Sequence, residues 1–252
     1  MKGVVSLRDG EITLDRHAKR NALTPEMLEQ LDAALAKVAA SDARVVLLRA
    51  AGEDFCAGAD IGLFSGLSGV EMWRDWTALG HRVFDALARL RQPTIAVVHG
   101  NAFGGGLELA LACDFRVVAE GARLGLPEVG LGTVPGWGGT ERLADLVGRA
   151  RALEIVLARR TIDAATAYDW GLATTVVPRA ELESTVDELA TRLSGGAPVA
   201  VQLAKQLIHA AADGASSRVL EPLAGALASA TDDLAEGVAA FRERRAPAFH
   251  GR

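Results

Sequence analysis

Residues Gly100-Asn101-Ala102-Phe103-Gly104-Gly105-Gly106-Leu107-Glu108 restrict what this chain can become more than any other stretch. The apolar run before them, Thr94-Ile95-Ala96-Val97-Val98, reads as a buried strand. The run after them, Leu109-Ala110-Leu111-Ala112-Cys113, reads as a helix. Three consecutive glycines at that junction strip the side chains from a helix N-terminus. The first N–H groups of a helix have no intrahelical partner, so they are free to hold an anion or a developing negative charge. Glu108 lies about one helical turn further on. From these residues alone two readings stay open. One is a tight strand-to-helix packing point with no ligand. The other is a backbone oxyanion site beside a carboxylate, which suits chemistry next to a carbonyl.

A second small-residue turn, Phe55-Cys56-Ala57-Gly58-Ala59-Asp60-Ile61, follows the strand-like Arg44-Val45-Val46-Leu47-Leu48-Arg49 and can supply another N–H. Leu126-Pro127-Glu128-Val129-Gly130 then places a second carboxylate in a loop, ahead of the turn-rich Gly132-Thr133-Val134-Pro135-Gly136-Trp137-Gly138-Gly139-Thr140. Taken singly, Glu108 fits an acid favoured by its own helix dipole, and Glu128 a solvated loop acid. Neither a phosphate-binding G-x-x-x-x-G-K-[ST] nor a G-x-S-x-G nucleophile elbow is present.

Around these motifs the chain reads as an α/β protein. Residues 2–7 and 11–14 form a hairpin about Asp9-Gly10, and Thr24-Pro25-Glu26 starts a helix. Residues 62–69, with Gly62, Gly66 and Gly69, read as a mobile loop. A helix over 71–90 carries Trp73, Trp76, Val83 and Leu87. After Pro178 four helices are expected, over 179–194, 198–212, 217–229 and 232–244.

The 252 residues are half hydrophobic and 23% charged, enough for a large core. A net charge of −5 without a basic block gives no support to a nucleic-acid partner. Cys56 and Cys113 have no metal-ligand spacing, nor do His17, His81, His99, His209 and His250, so no metal is expected. The start of the chain lacks a signal-peptide core, and no apolar run nears the roughly 18 residues of a membrane span. A cytoplasmic protein with no membrane partner is the expectation.

In order and spacing, the motifs resemble the crotonase superfamily, and within it the enoyl-CoA hydratases. The resemblance also takes in Leu14-Asp15-Arg16-His17-Ala18-Lys19-Arg20-Asn21-Ala22-Leu23-Thr24, the 161–178 region and the tail Phe241-Arg242-Glu243-Arg244-Arg245-Ala246-Pro247-Ala248-Phe249. It implies a crotonase-like spiral of ββα units over residues 1–194, carrying the active site. Residues 195–252 would be a C-terminal helical region for oligomerisation into a homotrimer or a dimer of trimers.

It further implies that Glu108 and Glu128 are the catalytic acids and that the N–H groups of Ala59 and Gly105 form the oxyanion hole. Substrate contacts would come from Arg20, Ala57, Asp60, Ile61, Trp137, Phe241 and Arg244. Arg20 would meet the phosphates of coenzyme A, and Phe241 and Arg244 its adenine end. The substrate is then an acyl-CoA thioester, with coenzyme A as part of the substrate and no separate cofactor. The expected reaction adds water to a trans-2-enoyl-CoA to give a 3-hydroxyacyl-CoA. Enoyl-CoA isomerisation or other enolate chemistry is the nearest alternative, and a non-catalytic acyl-CoA-binding oligomer the next. Gly62-Leu63-Phe64 departs from the charged or polar residue of many relatives, which leaves the acyl preference open.

Overall fold

The chain opens as an antiparallel hairpin, β1 (Val4–Arg8) and β2 (Glu11–Asp15), closed by Asp9 and Gly10 at φ of 50° and 84°. The structure, a computed structural model, describes residues 2–252. Thr24 caps α1 (Pro25–Ala39): its hydroxyl accepts from the Met27 N–H, and Pro25 takes the first helical position, where no donor is needed. Strand β3 (Val46–Ala50) leads through a long turn to α2 (Ile61–Phe64) and α3 (Gly69–Glu71). A π-helical turn, Met72–Thr77, runs on into α4 (Ala78–Ala88).

The glycine-rich segment spans β4 (Thr94–Val98), the short β5 (Ala102–Phe103) and α5 (Gly105–Leu111). Next come β6 (Phe115–Ala119), β7 (Arg123–Gly125) and a 3₁₀ turn at Glu128–Leu131. They are followed by α6 (Gly139–Val147), α7 (Arg149–Leu157), β8 (Ile162–Asp163), α8 (Ala164–Asp169) and β9 (Thr175–Val177). The last elements are α9 (Leu182–Ser194), α10 (Pro198–Ala212), α11 (Ser217–Ser229) and α12 (Asp232–Glu243).

Six strands form one sheet in the order β1-β2-β3-β4-β6-β9, parallel except for the opening hairpin. Every residue of β4 is buried, as a central parallel strand covered on both faces requires. Its alternate side chains serve two cores: Ala96 and Val98 join the main one, while Ile95 and Val97 pack with Val117, Leu182 and Val186 beneath α9. A second sheet, β5-β7-β8, stands beside the first. Its strands are only two or three residues long, too short for any periodicity to show in the sequence.

Two local expectations change. The glycine-bearing 62–69 segment is partly ordered as α2, because the Asp60 side chain accepts from the Gly62 N–H and caps it. The helix expected over 71–90 begins earlier: Ser68 and Glu71 form a reciprocal capping box that starts α3. It also contains the π turn, which separates exposed Trp73 from buried Trp76.

The C-terminal helices are tied to the sheet by polar anchors. Lys205 pairs with Asp114 at 2.7 Å and donates to the Gln92 carbonyl at 2.9 Å. Arg44 donates to the carbonyls of Ser194 and Phe249. Among the described residues no helix is long and apolar enough to cross a membrane.

Candidate active site

Adjacent parallel strands β3 and β4 leave the sheet at the same edge, so the turns that follow them meet beyond their carboxyl ends, where ligand crevices of parallel sheets form. A backbone bridge between Cys56 and Ala102 joins these turns, with Phe103 N donating to Cys56 O at 3.0 Å and Cys56 N to Asn101 O at 3.1 Å. Helix α5 presses on the bridge so closely that a Cβ on Gly106 would lie well under 3.0 Å from the Cys56 carbonyl. Gly58 at φ 94° and Gly104 at φ 53°, ψ −132° hold conformations that a side chain would strain.

The two expected oxyanion donors come together here. Among the described residues, neither the Ala59 N–H nor the Gly105 N–H donates to a protein acceptor. A Cβ on Gly105 would stand 3.5 Å from the Ala59 nitrogen, so both donors sit on one wall.

The Ala59 turn is braced from behind. Asp60 N donates to Leu23 O at 2.9 Å and Leu23 N to Gly58 O at 2.8 Å. The Arg16 guanidinium meets the Asp60 carboxylate at 2.6 Å, and Arg16 together with Asp60's own bond to Gly62 holds that carboxyl below its usual range. Asp60, expected to contact substrate, is thus occupied within the protein. Arg16 is a half-buried strut, although beside Lys19 and Arg20 it reads as part of a solvated cluster. Asn21 holds this turn as well. Fully buried at φ 55°, it accepts from Arg16 N at 2.8 Å and donates to the carbonyls of Ala51 and Asp54. Its only signal is membership of the 14–24 motif.

A cavity of about 100 Å³ opens beside the two N–H groups. Ala57, Ala59, Gly105, Glu108 and Glu128 line its polar side, while Ile61, Phe64, Trp76 and Trp137 are among its apolar walls. Glu108 is buried at the first turn of α5, and its Oε1 accepts from Trp137 N at 2.8 Å and Gly139 N at 2.9 Å. Burial raises its pKa, and these N–H groups oppose the rise. Glu128 is the opposite case. Both carboxyl oxygens are buried without a hydrogen-bond partner among the described residues. Burial, with the nearby Glu108 charge adding to it, pushes Glu128 up to about 7.

Arg20, Phe241 and Arg244 are not brought to this cavity. Arg20 is exposed, and only its carbonyl meets the site's framework, accepting from Ala57 N at 2.9 Å. Phe241, 86% exposed, lines a separate apolar groove between the C-terminal helices, and Arg244 ends α12.

Residues 10–252 match the sequence family Enoyl-CoA hydratase/isomerase. This chain belongs to that family. It is 37% identical to a short-chain-enoyl-CoA hydratase of Clostridium acetobutylicum, across 97% of this chain and 96% of that one. It is 39% identical to a crotonyl-CoA hydratase of Syntrophomonas wolfei, across 94% and 92%. The crystal structure of an enoyl-CoA hydratase from Bacillus anthracis superposes over 100% of both chains, with a TM-score of 0.93 and 37% identity. The α/β crotonase fold is therefore shown.

In this crotonase-family chain the raised Glu128 carboxyl has a consequence for stability. A carboxyl whose pKa is higher folded than unfolded binds more protons in the folded state. Its contribution is therefore lost as pH rises from about 4.5 to about 7. Glu128→Gln should flatten that loss, leaving a residual slope from Glu108, whose shift has the same sign. Thermal unfolding at pH 5 and pH 8 checks this: the variant should gain on the wild type at pH 8 relative to pH 5. An unchanged difference would mean that Glu128 titrates as an ordinary solvated acid.

Proposed function

We propose that this protein adds water to trans-2-enoyl-CoA thioesters to give 3-hydroxyacyl-CoA. The observation that carries this reading is the pairing, on one cavity, of two carboxylates in contrasting environments with two unpartnered backbone N–H groups. Glu108, held in place by two N–H donors, suits a base that orients water and takes its proton. Glu128, unpartnered and near 7, suits an acid that still carries a proton at neutral pH. The water oxygen bonds to C3 as its proton passes to Glu108. The electron pair of the double bond moves toward the thioester, where the Ala59 and Gly105 N–H groups receive the enolate oxygen. Collapse of the enolate takes the Glu128 proton at C2, and the two carboxyls regain their starting states through solvent.

The names of the two bacterial relatives, a short-chain and a crotonyl-CoA hydratase, support the same reaction class. A homotrimer or dimer of trimers belongs to the same reading. The exposed apolar residues Ile208, Leu223, Leu227 and Phe241 on α10 to α12 support it by offering a face for self-association. Arg20, Phe241 and Arg244 would then meet coenzyme A in the assembled enzyme.

Incubation with crotonyl-CoA followed by product analysis tests the reaction. Formation of 3-hydroxybutyryl-CoA is expected. Turnover of a panel of enoyl-CoA thioesters only to alkenes with a moved double bond would replace hydration with isomerisation.

A further inference from the structure

Two tryptophans form the back of the cavity. Its mouth carries the exposed apolar side chains Ile61, Leu131 and Val134, whereas Trp76 is 6% exposed and Trp137 3%. The Trp137 ring fits its place because two flanking residues are glycines: a Cβ on either Gly80 or Gly105 would lie well under 3.0 Å from the indole. The Phe84 ring meets Trp137 edge-on at 5.2 Å. Trp76 stacks obliquely on Trp137 at 5.3 Å, and Phe64 lies 6.3 Å beyond Trp76. The wall is thus a continuous aromatic layer whose rings pack against one another.

Trp76 reaches this wall from the π turn. Met72, Trp76 and Thr77 all line the cavity and all belong to that turn. In an α-helix, at about 100° per residue, positions i, i+4 and i+5 would spread over about 140°. The wider i→i+5 winding draws them toward one face. The turn therefore spends its irregular geometry on shaping the cavity, as π turns at functional sites commonly do.

From this geometry we infer that Trp76 sets the chain-length limit of the enzyme, closing the acyl end of the cavity so that it accepts short enoyl groups. The inference rests on the acyl-CoA reading above. With the thioester oxygen on the Ala59 and Gly105 N–H groups and C2–C3 between the two glutamates, further acyl carbons run against Trp76 and Trp137. A close-packed wall has no room to yield to them. One surplus methylene in a filled apolar pocket typically costs about 10–200-fold in discrimination.

The experiment measures binding of saturated butyryl-, hexanoyl- and decanoyl-CoA, which contain no double bond to react, alongside kcat/KM for the matching trans-2-enoyl thioesters. The wild type should bind decanoyl-CoA at least about 10-fold more weakly than butyryl-CoA. Trp76→Leu should shrink or reverse that ratio, and so should Met72→Ala, a milder change on the same turn should Trp76→Leu fail to fold. Equal affinity of the wild type for all three lengths would overturn the inference, because the chain would then leave through the mouth past Leu131 and Val134. A folded Trp76→Leu or Met72→Ala that keeps the wild-type ratio would overturn the role of the π-turn wall. Failure to bind any acyl-CoA is a different result: it would remove the proposed function itself, and the inference with it.

Discussion

Glu108→Gln should lower kcat about 10²-fold or more while leaving the fold intact, and Glu128→Gln should do the same. At position 108 the glutamine is nearly isosteric. Its carbonyl oxygen can keep the bonds from Trp137 N at 2.8 Å and Gly139 N at 2.9 Å that fix the side chain, so what is lost is basicity rather than position. At position 128 the amide replaces a carboxyl whose oxygens have no protein partner among the described residues, so no existing hydrogen bond is broken and the transferable proton alone is lost. The two acids act on one substrate in one transition state. Their effects should therefore be far from additive, and the double variant should be much less impaired than the product of the two losses. Steady-state kinetics with crotonyl-CoA checks this. Near-wild-type turnover by either single variant would remove that residue from the mechanism.

Gly105→Ala should cost both stability and most of the activity. From the sequence alone, a methyl group at this position looks like a mild change that preserves the N–H. The structure shows otherwise: the new Cβ would lie well under 3.0 Å from the Trp137 ring. That ring cannot retreat, because it is pressed on Gly80 and flanked by Phe84 and Trp76. Overpacking of this kind typically costs about 1–3 kcal/mol. Any shift of Trp137 also disturbs the N–H that orients Glu108. Gly105→Pro, which would remove the N–H outright, meets the same ring and cannot report on the donor alone. Trp137→Phe combined with Gly105→Ala should recover part of the lost stability, and a double-mutant cycle by thermal unfolding reads that coupling. Wild-type stability and turnover in Gly105→Ala would show that the packing around Trp137 is loose.

The sequence made the larger framework legible where side chains repeat in patterns. Residues 95–98 are continuously apolar and belong to the central buried strand. Thr24-Pro25-Glu26 starts a helix, and the last three helices fall within a residue of where turn signals place them. The glycine-rich turns are visible for the same reason, since few local structures need so many residues without side chains. What stayed hidden depends on contacts between distant segments. Arg16 is a half-buried strut only because Asp60 comes to it across 44 residues. Asn21 ties its own turn to the carbonyls of Ala51 and Asp54 in the turn after β3, which no local pattern brings together. Glu128 reads as a loop acid like any other until the fold buries both its oxygens. The π turn has no signature in Met72-Trp73-Arg74-Asp75-Trp76-Thr77 apart from its two tryptophans, which an ordinary helix would accommodate equally well.

Turnover of crotonyl-CoA in water enriched in both heavy oxygen and deuterium tests the central claim most directly. Glu108 is proposed to deliver the water oxygen to C3 and Glu128 the solvent-derived proton to C2. The 3-hydroxybutyryl-CoA product should therefore carry one heavy oxygen at C3 and one deuterium at C2, and both labels should appear together and much more slowly in Glu108→Gln. Deuterium entering the acyl chain without any heavy oxygen at C3 would contradict the account. It would show enolate chemistry without addition of water.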